Sequence, residues 1–431
     1  IFKRFIISIE SFLMNYRNFS LYFASIGIKE SFLLALYCLI PKSLNKNFNL
    51  YKYFNTKQVY LFSSARGALA AFLTANNIGK GDTVLLSSFT CIAVPTSVLA
   101  CGALPIYADI NTKTLNMDFS SIKRNIQENT KAIVIQHTMG ITADDIEKVV
   151  QYAKEKNLLV IEDCALSIGS KKGNKKVGTY GDAAIYSLEL SKTISTGWGG
   201  ILVNSNEKLS EKVEDFYAKL NYESLTTRFR KVLQIFLTGL FYSKYLYFFG
   251  KYIIAAFYRI NLFKASTPAV EYSGIVRKDF ISKLGGAQSF LGNRQLKKLR
   301  KISEVNDHNY KFLKNVIDKH GLTSIDITYM NDLIVSSRIP FFVSDKKNAI
   351  EWFSKRNIEL GTWFDSNISD LKIFNFDKNL YSNVTRTSLH IVNLPCHSRL
   401  KKSDLKLIDL MIDQFVYQNP SESNFNFFKV K

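Results

Sequence analysis

Between Gln58 and Ser205 the sequence alternates short β-rich runs with runs of helical period, each boundary marked by Gly, Asp or Asn. This alternation restricts the fold more than any other feature of the chain. It predicts strands over 82–88, 103–109, 131–137, 157–163, 182–188 and 199–205, and helices over 67–76, 92–100, 119–127 and 144–156. Strands separated by helices require crossover connections, which give an α/β fold with a largely parallel sheet covered on both faces. Ligands of such sheets bind beyond the carboxyl ends of the strands.

The rest of the chain is read around that unit. Residues 1–57 are aromatic and basic, with an apolar block from Ser31 to Ile40 that stops at Pro41, and are expected to form an N-terminal helical arm. A large domain is expected over 58–278. Within it, 224–264 interleaves aromatic and aliphatic residues with Arg228, Arg230, Lys231, Arg259 and Lys264. Two readings stay open there: a helical hairpin packed in the core or against a second subunit, and an interfacial element that contacts an anionic membrane peripherally. From 279 to 431 two amphipathic helices, to about Lys319, lead into a smaller C-terminal α/β domain. It holds the FFVSD run, a helix through Trp352 and a last helix over 405–415.

Composition narrows the classes. Of 431 residues 47% are apolar and 22% charged, enough for a sizeable core and too apolar for a disordered chain. Lys and Arg number 57 against 36 Asp and Glu, a net +21. The excess is scattered among acids in a chain rich in Lys, Asn, Ile and Phe, and no nucleic-acid motif accompanies it, so no nucleic-acid partner is expected. Five cysteines (Cys38, Cys91, Cys101, Cys164 and Cys396) form no CxxC pair and lie mostly in apolar runs. They read as reduced, buried thiols of a cytoplasmic protein, and no metal site is expected. No run of about 20 uninterrupted apolar residues predicts a transmembrane helix. Ile1 in place of Met leaves open where the chain starts and whether a leader precedes it.

The strand ends carry the candidate chemistry. The fourth predicted strand delivers Glu162 and Asp163 to the ligand edge, where an Asp is as readily a turn former as a functional group. The fifth carries Ser187 next to its end, and Lys192 follows just before a turn containing Gly197, Gly199 and Gly200. A Lys placed so close to an apolar strand is partly desolvated, which favours a usable amine. Near the front, Ser63-Ser64-Ala65-Arg66-Gly67 is a small-residue turn opening a helix, where backbone N–H groups and an Arg fork suit a phosphate. A Lys that forms a Schiff base with pyridoxal phosphate needs an acid for the ring nitrogen and donors for the phosphate. Asp163 and Ser187 are residues of those types.

Together SSARGALAAFL, GDTVLLSSFTCIAVPTSVLACGALPIYADI, QHTMGITADDIEKVVQYAKEKNLLVIEDCALSIGS and GTYGDAAIYSLELSKTISTGWGG resemble the DegT/DnrJ/StrS family of PLP-dependent sugar aminotransferases, over about 58–222. The segment Asn393–His397 is similar but less diagnostic. The resemblance implies fold type I of PLP-dependent transferases: a large domain with a mostly parallel seven-stranded sheet, plus a smaller C-terminal α/β domain. It further implies a homodimer with active sites at the interface, pyridoxal 5′-phosphate held as an aldimine on Lys192, and transfer of an amino group from glutamate to a keto group, typically of a nucleotide-linked sugar for surface polysaccharide.

Position by position, Lys192 matches the Schiff-base lysine and proton carrier, and Asp163 the acid at the pyridine nitrogen. Ser187 matches a phosphate-binding hydroxyl, and Ala65 with Arg66 the phosphate turn. Cys91 falls where an aromatic ring stacks on the cofactor, and His137 matches a structural His. Leu166 replaces a Gln that bonds the cofactor's phenolic oxygen, and Trp198 replaces a Glu. The Gly-x-Asn-Tyr-Arg segment lent by a partner subunit is degenerate in Gly274-Ile275-Val276-Arg277. Two alternatives stand beside the transaminase: a PLP-dependent sugar-modifying enzyme of other chemistry, such as a dehydratase, whose expected His at position 192 is absent; and a non-catalytic or membrane-surface protein on the same fold.

Overall fold

A computed structural model describes residues 19–21, 26–38, 50–143, 145–241, 247–263, 279–327, 332–364, 372–374 and 376–429. The expected phosphate-lending segment Gly274–Arg277 and much of the N-terminal arm lie outside the described residues. Within the arm, α1 spans Ile28–Cys38. The main sheet follows as β1 (Val59–Phe62), β2 (Thr83–Ser87), β3 (Leu104–Ala108), β4 (Thr130–Gln136), β5 (Leu159–Asp163), β6 (Ala183–Ser187) and β7 (Gly200–Asn204), in the order β1-β7-β6-β5-β4-β2-β3. Only β7 runs against the other six, pairing antiparallel with both β6 and β1. The expected mostly parallel seven-stranded sheet is therefore present. Strand β1 is the one the alternation did not predict: it is a four-residue edge that, among the described residues, forms a ladder with β7 alone.

The crossovers are helices, including α2 (Ala65–Ala75), α3 (Ala93–Cys101) and α4 (Ile146–Glu155). Successive residues of one strand enter opposite cores, as the two-residue pleat demands. Val84, Leu86, Val134 and Ile161 pack into one cluster, whereas Leu85, Ile133, Ile135 and Val160 pack into another beyond the sheet. Double-sided burial makes these strands read as continuous apolar runs and pins their polar ends at the rim.

After β7 come α5 (Leu225–Phe241) and α6 (Tyr247–Arg259), which form a helical hairpin. Helix α7 then runs unbroken from Gly286 to Lys319. Two helices were expected there. The buried positions Leu291, Gln295, Leu299, Ser303, Asn306, Tyr310, Leu313 and Ile317 recur every three or four residues without Pro, so one stripe continues throughout and a single helix forms. A second, antiparallel sheet of β8 (Thr323–Ser324), β9 (Arg338–Phe342) and β10 (Ile391–Pro395) carries helix Lys346–Ser354 through Trp352 and the last long helix, Lys402–Gln418. Both helices lie where the sequence put them.

Candidate active site

Strands β4, β5 and β6 end side by side, so Gln136, Asp163 and Ser187 reach the same rim. A cavity of about 400 Å³ opens there, and it is lined by every candidate residue: Ala65, Arg66, Cys91, Asp163, Ser187 and Lys192. Lys192 arrives on the loop after β6, whose path is fixed locally. The Lys192 N–H donates to Glu189 O (3.1 Å), and the Glu189 carboxylate accepts from the Ser191 N–H (2.9 Å) and Oγ (2.6 Å).

Asp163 and Lys192 are both buried. Burial is the largest influence on Asp163 and lifts its carboxyl above the ordinary range, against the Ala165 N–H, Lys192 and His137, which favour the anion. One Asp163 oxygen accepts from that Ala165 N–H at 2.9 Å, and the other makes no hydrogen bond to a described residue. Burial also lowers the Lys192 ammonium from its usual value; Glu189, Cys91 and Asp163 oppose this, whereas the Arg338 charge reinforces it. The amine is thereby brought toward its neutral form.

Behind Asp163 lies a clamp. His137 Nδ1 accepts from the Ala143 N–H (3.1 Å), so Nε2 carries the proton and donates to Glu162 Oε2 (2.9 Å). Glu162 also accepts from the N–H groups of Gly178 (2.7 Å), Tyr180 (2.6 Å) and Gly181 (2.8 Å). His137, Glu162 and Cys164 bring metal-type donor atoms within 4.8 Å of one another. Both imidazole nitrogens and both carboxylate oxygens are already engaged within the protein, so the group works as a tie between strand ends and the 178–181 loop.

Ser64 caps α2, its Oγ accepting from the Gly67 N–H at 3.1 Å. A Cβ at Gly200 would lie 2.4 Å from Ala65 N and from the Ser64 carbonyl, so glycine there is what lets β7 approach the helix start. At the neighbouring turn Gly197 has φ +79°, and a Cβ would meet Ile235 of the hairpin at 2.1 Å. The same turn presents Trp198, which lines the cavity while Lys231 Nζ of the hairpin sits 5.2 Å from its ring centre.

The opposite wall comes from far along the chain and was not foreseen. Thr362, Trp363 and Phe364 line the cavity. Lys192 Nζ lies 4.7 Å and Arg338 Cζ 3.7 Å from the Trp363 ring centre, both within cation–π range. Phe364 meets Phe89 edge-on at 5.1 Å, beside Cys91. The sequence signal was slight: one of three Trp residues, in Gly-Thr-Trp-Phe.

These donors fit pyridoxal 5′-phosphate. A buried amine and a buried carboxylate with an oxygen to spare share one cavity with a hydroxyl, Ser187, and a capped helix start carrying Arg66, the features a phosphate favours. Leu166 and Cys91 also face the cavity, one apolar and one a small thiol, at the positions where the resembling family carries a hydrogen-bonding Gln and a stacking aromatic ring.

Residues 42–232 match the model of the DegT/DnrJ/EryC1/StrS aminotransferase family. GDP-perosamine synthase of Vibrio cholerae is 35% identical over 161 residues, 37% of this chain and 44% of that protein. GDP-perosamine synthase of Escherichia coli O157:H7 is 40% identical over 154 residues, 36% of this chain and 42% of that protein. The matched stretch thus spans under half the length of these relatives. Among solved structures, the aminotransferase TlmJ of Streptoalloteichus hindustanus superposes with TM-score 0.72 at 16% identity, covering 93% of this chain and 99% of that one. Helicobacter pylori PseC, an aminotransferase involved in the biosynthesis of pseudoaminic acid, superposes with TM-score 0.70 at 19% identity, covering 93% and 100%. The fold likeness therefore extends well past the region of recognisable sequence.

Proposed function

We propose, from the match of residues 42–232 to the DegT/DnrJ/EryC1/StrS aminotransferase family model, that this chain is a PLP-dependent aminotransferase moving an amino group from glutamate to a keto group of a nucleotide-linked sugar. The observation that carries the reading is the convergence of Lys192, Asp163, Ser187 and the α2 start on one cavity. The names of the relatives support the substrate class.

When bound, pyridoxal 5′-phosphate supplies an aldehyde that accepts the amino group and a ring that stores the electron pair left at the substrate carbon. The chain's own residues prepare the site for it. Lys192, its ammonium destabilised by burial, offers the nucleophilic amine and carries the proton between donor and acceptor carbon. Asp163 holds a proton at the ring nitrogen by hydrogen bond and charge. Ser187, Ala65 and Arg66 bind the phosphate, and Cys91 packs at the ring. The His137–Glu162 tie keeps Asp163 in place, and Trp363 covers Lys192. A homodimer completes the site in this reading, with 58–278 as the cofactor domain and 279–431 as its smaller companion. The enzyme works in the cytoplasm, where its described thiols Cys91, Cys101, Cys164 and Cys396 stay free.

The test is the absorption spectrum of the purified chain with added pyridoxal phosphate, before and after L-glutamate, beside Lys192→Ala. The visible band of lysine-bound cofactor should appear, fall on adding glutamate, and be absent in the variant. A chain that develops no band, or a band that Lys192→Ala retains, overturns the assignment.

A further inference from the structure

From Ser224 to Lys264 the chain holds seven Lys and Arg and no Asp or Glu, in a protein that has 36 acids in all. Its described residues include the paired helices α5 and α6, whose two sides differ. The inner side is seated: Ile235 joins Leu34 of α1 and Leu291 of α7 in a buried cluster, and Lys231 pairs with Glu223 at 2.8 Å. Gly250 and Ile254 of α6 are buried, and a Cβ on Gly250 would meet Phe241 O of α5 at 2.2 Å. The outer side faces away. At about 3.6 residues per turn, Phe249, Tyr252, Ala256, Arg259 and Ile260 share one stripe opposite Gly250 and Ile254. Phe249 is 67% exposed, Tyr252 63% and Ile260 68%; at the start of α5, Leu225 is 74% and Phe229 68% exposed, with Arg230 exposed beside them.

Exposed aromatic and aliphatic side chains interleaved with Arg, and without one acid, match a surface that is anionic outside and apolar a few ångströms further in. We propose that this hairpin docks the protein on an anionic phospholipid bilayer, lying in the headgroup layer. It lies on the bilayer and does not cross it. Helix α6 has 13 residues, about 20 Å against a hydrocarbon core of about 30 Å, and no described helix is long and apolar enough to span. The net charge of +21 adds long-range attraction. Because α5 also packs on Gly197 and Trp198, the docked hairpin is the support of one cavity wall, which sets the site at a membrane surface whatever reaction it performs.

The experiment is co-sedimentation of the full chain with phosphatidylcholine vesicles, with and without phosphatidylglycerol, at low and high salt. It compares the wild type with Phe249→Ser/Ile260→Ser and with Arg230→Glu/Arg259→Glu; thermal unfolding and native mass serve as controls. The wild type should pellet with phosphatidylglycerol vesicles at low salt and not with pure phosphatidylcholine. Each double variant should bind about tenfold or more weakly while remaining folded, since each Arg near such a surface is worth a several-fold change. The inference is overturned by a wild type that ignores anionic vesicles, or by binding that survives both variant pairs, which would assign it to overall charge. It is also overturned if the serine pair lowers the native mass without changing vesicle binding, because the face is then a protein interface. The cofactor spectrum of the same samples reports separately on the reaction.

Discussion

Asp163, Ser187 and Lys192 reach the cavity from two adjacent strands and the loop that follows them, whereas Trp363 lines it from a segment that bridges to the second sheet at Gly361, with Arg338 of β9 against its ring. The first group forms a floor whose position is dictated by hydrogen-bonded ladders. The second forms a wall held by ring and cation contacts between segments distant in the chain. A floor of this kind presents reactive atoms rigidly, and a wall of this kind adjusts charge and access. If the division is right, floor substitutions abolish turnover, and wall substitutions shift its parameters.

The largest effect after loss of Lys192 is expected of Asp163→Asn. The amide oxygen can still accept the Ala165 N–H, so the strand end should keep its shape, but the charge facing the cavity is gone. Turnover should fall about 100-fold or more, the usual cost of removing a preorganised charge from a buried site, with unfolding temperature nearly unchanged. Near-normal turnover in the pre-steady-state half-reaction would move Asp163 from the chemistry to the turn.

The same division explains what could be read in advance. Strands β2 to β7 were legible because each is buried on both faces and bounded by Gly, Asp or Asn; Asp163 and Ser187 were legible because they end such strands. Strand β1 was not, since four residues at an edge carry little periodicity. The continuity of α7 was missed because its buried stripe includes Gln295, Ser303 and Asn306, which a hydrophobic pattern does not count. Trp363 and Arg338 left almost no signal. Their roles come from stacking across the molecule, and nothing within a few residues of either announces a partner.

A smaller effect is expected at the wall. Trp363→Ala removes the ring that both Lys192 and Arg338 approach and should lower kcat/KM about tenfold. Trp363→Phe, which retains an aromatic face, should recover most of it. Stopped-flow absorbance with glutamate measures both. Equal losses in the two variants would mean that the indole acts by filling space, and an unchanged rate would remove it from the site.

The finest distinction concerns Arg338, which is buried against Trp363 and does not itself line the cavity. Its positive charge helps hold the Lys192 ammonium below the ordinary lysine range, after burial itself. Lys192 must be unprotonated to attack the cofactor's aldehyde, so capture of added pyridoxal phosphate by the cofactor-free chain speeds up with pH through the Lys192 pKa. Arg338→Met removes the repulsion and lets Lys192 keep its proton to higher pH. The acid limb of the capture-rate profile should therefore move upward, while the plateau changes little. Arg338→Lys, which restores a cation, should bring the limb back. A limb that stays put in the methionine variant while Tm falls would reduce Arg338 to a packing partner of Trp363, and the wall would then control access alone.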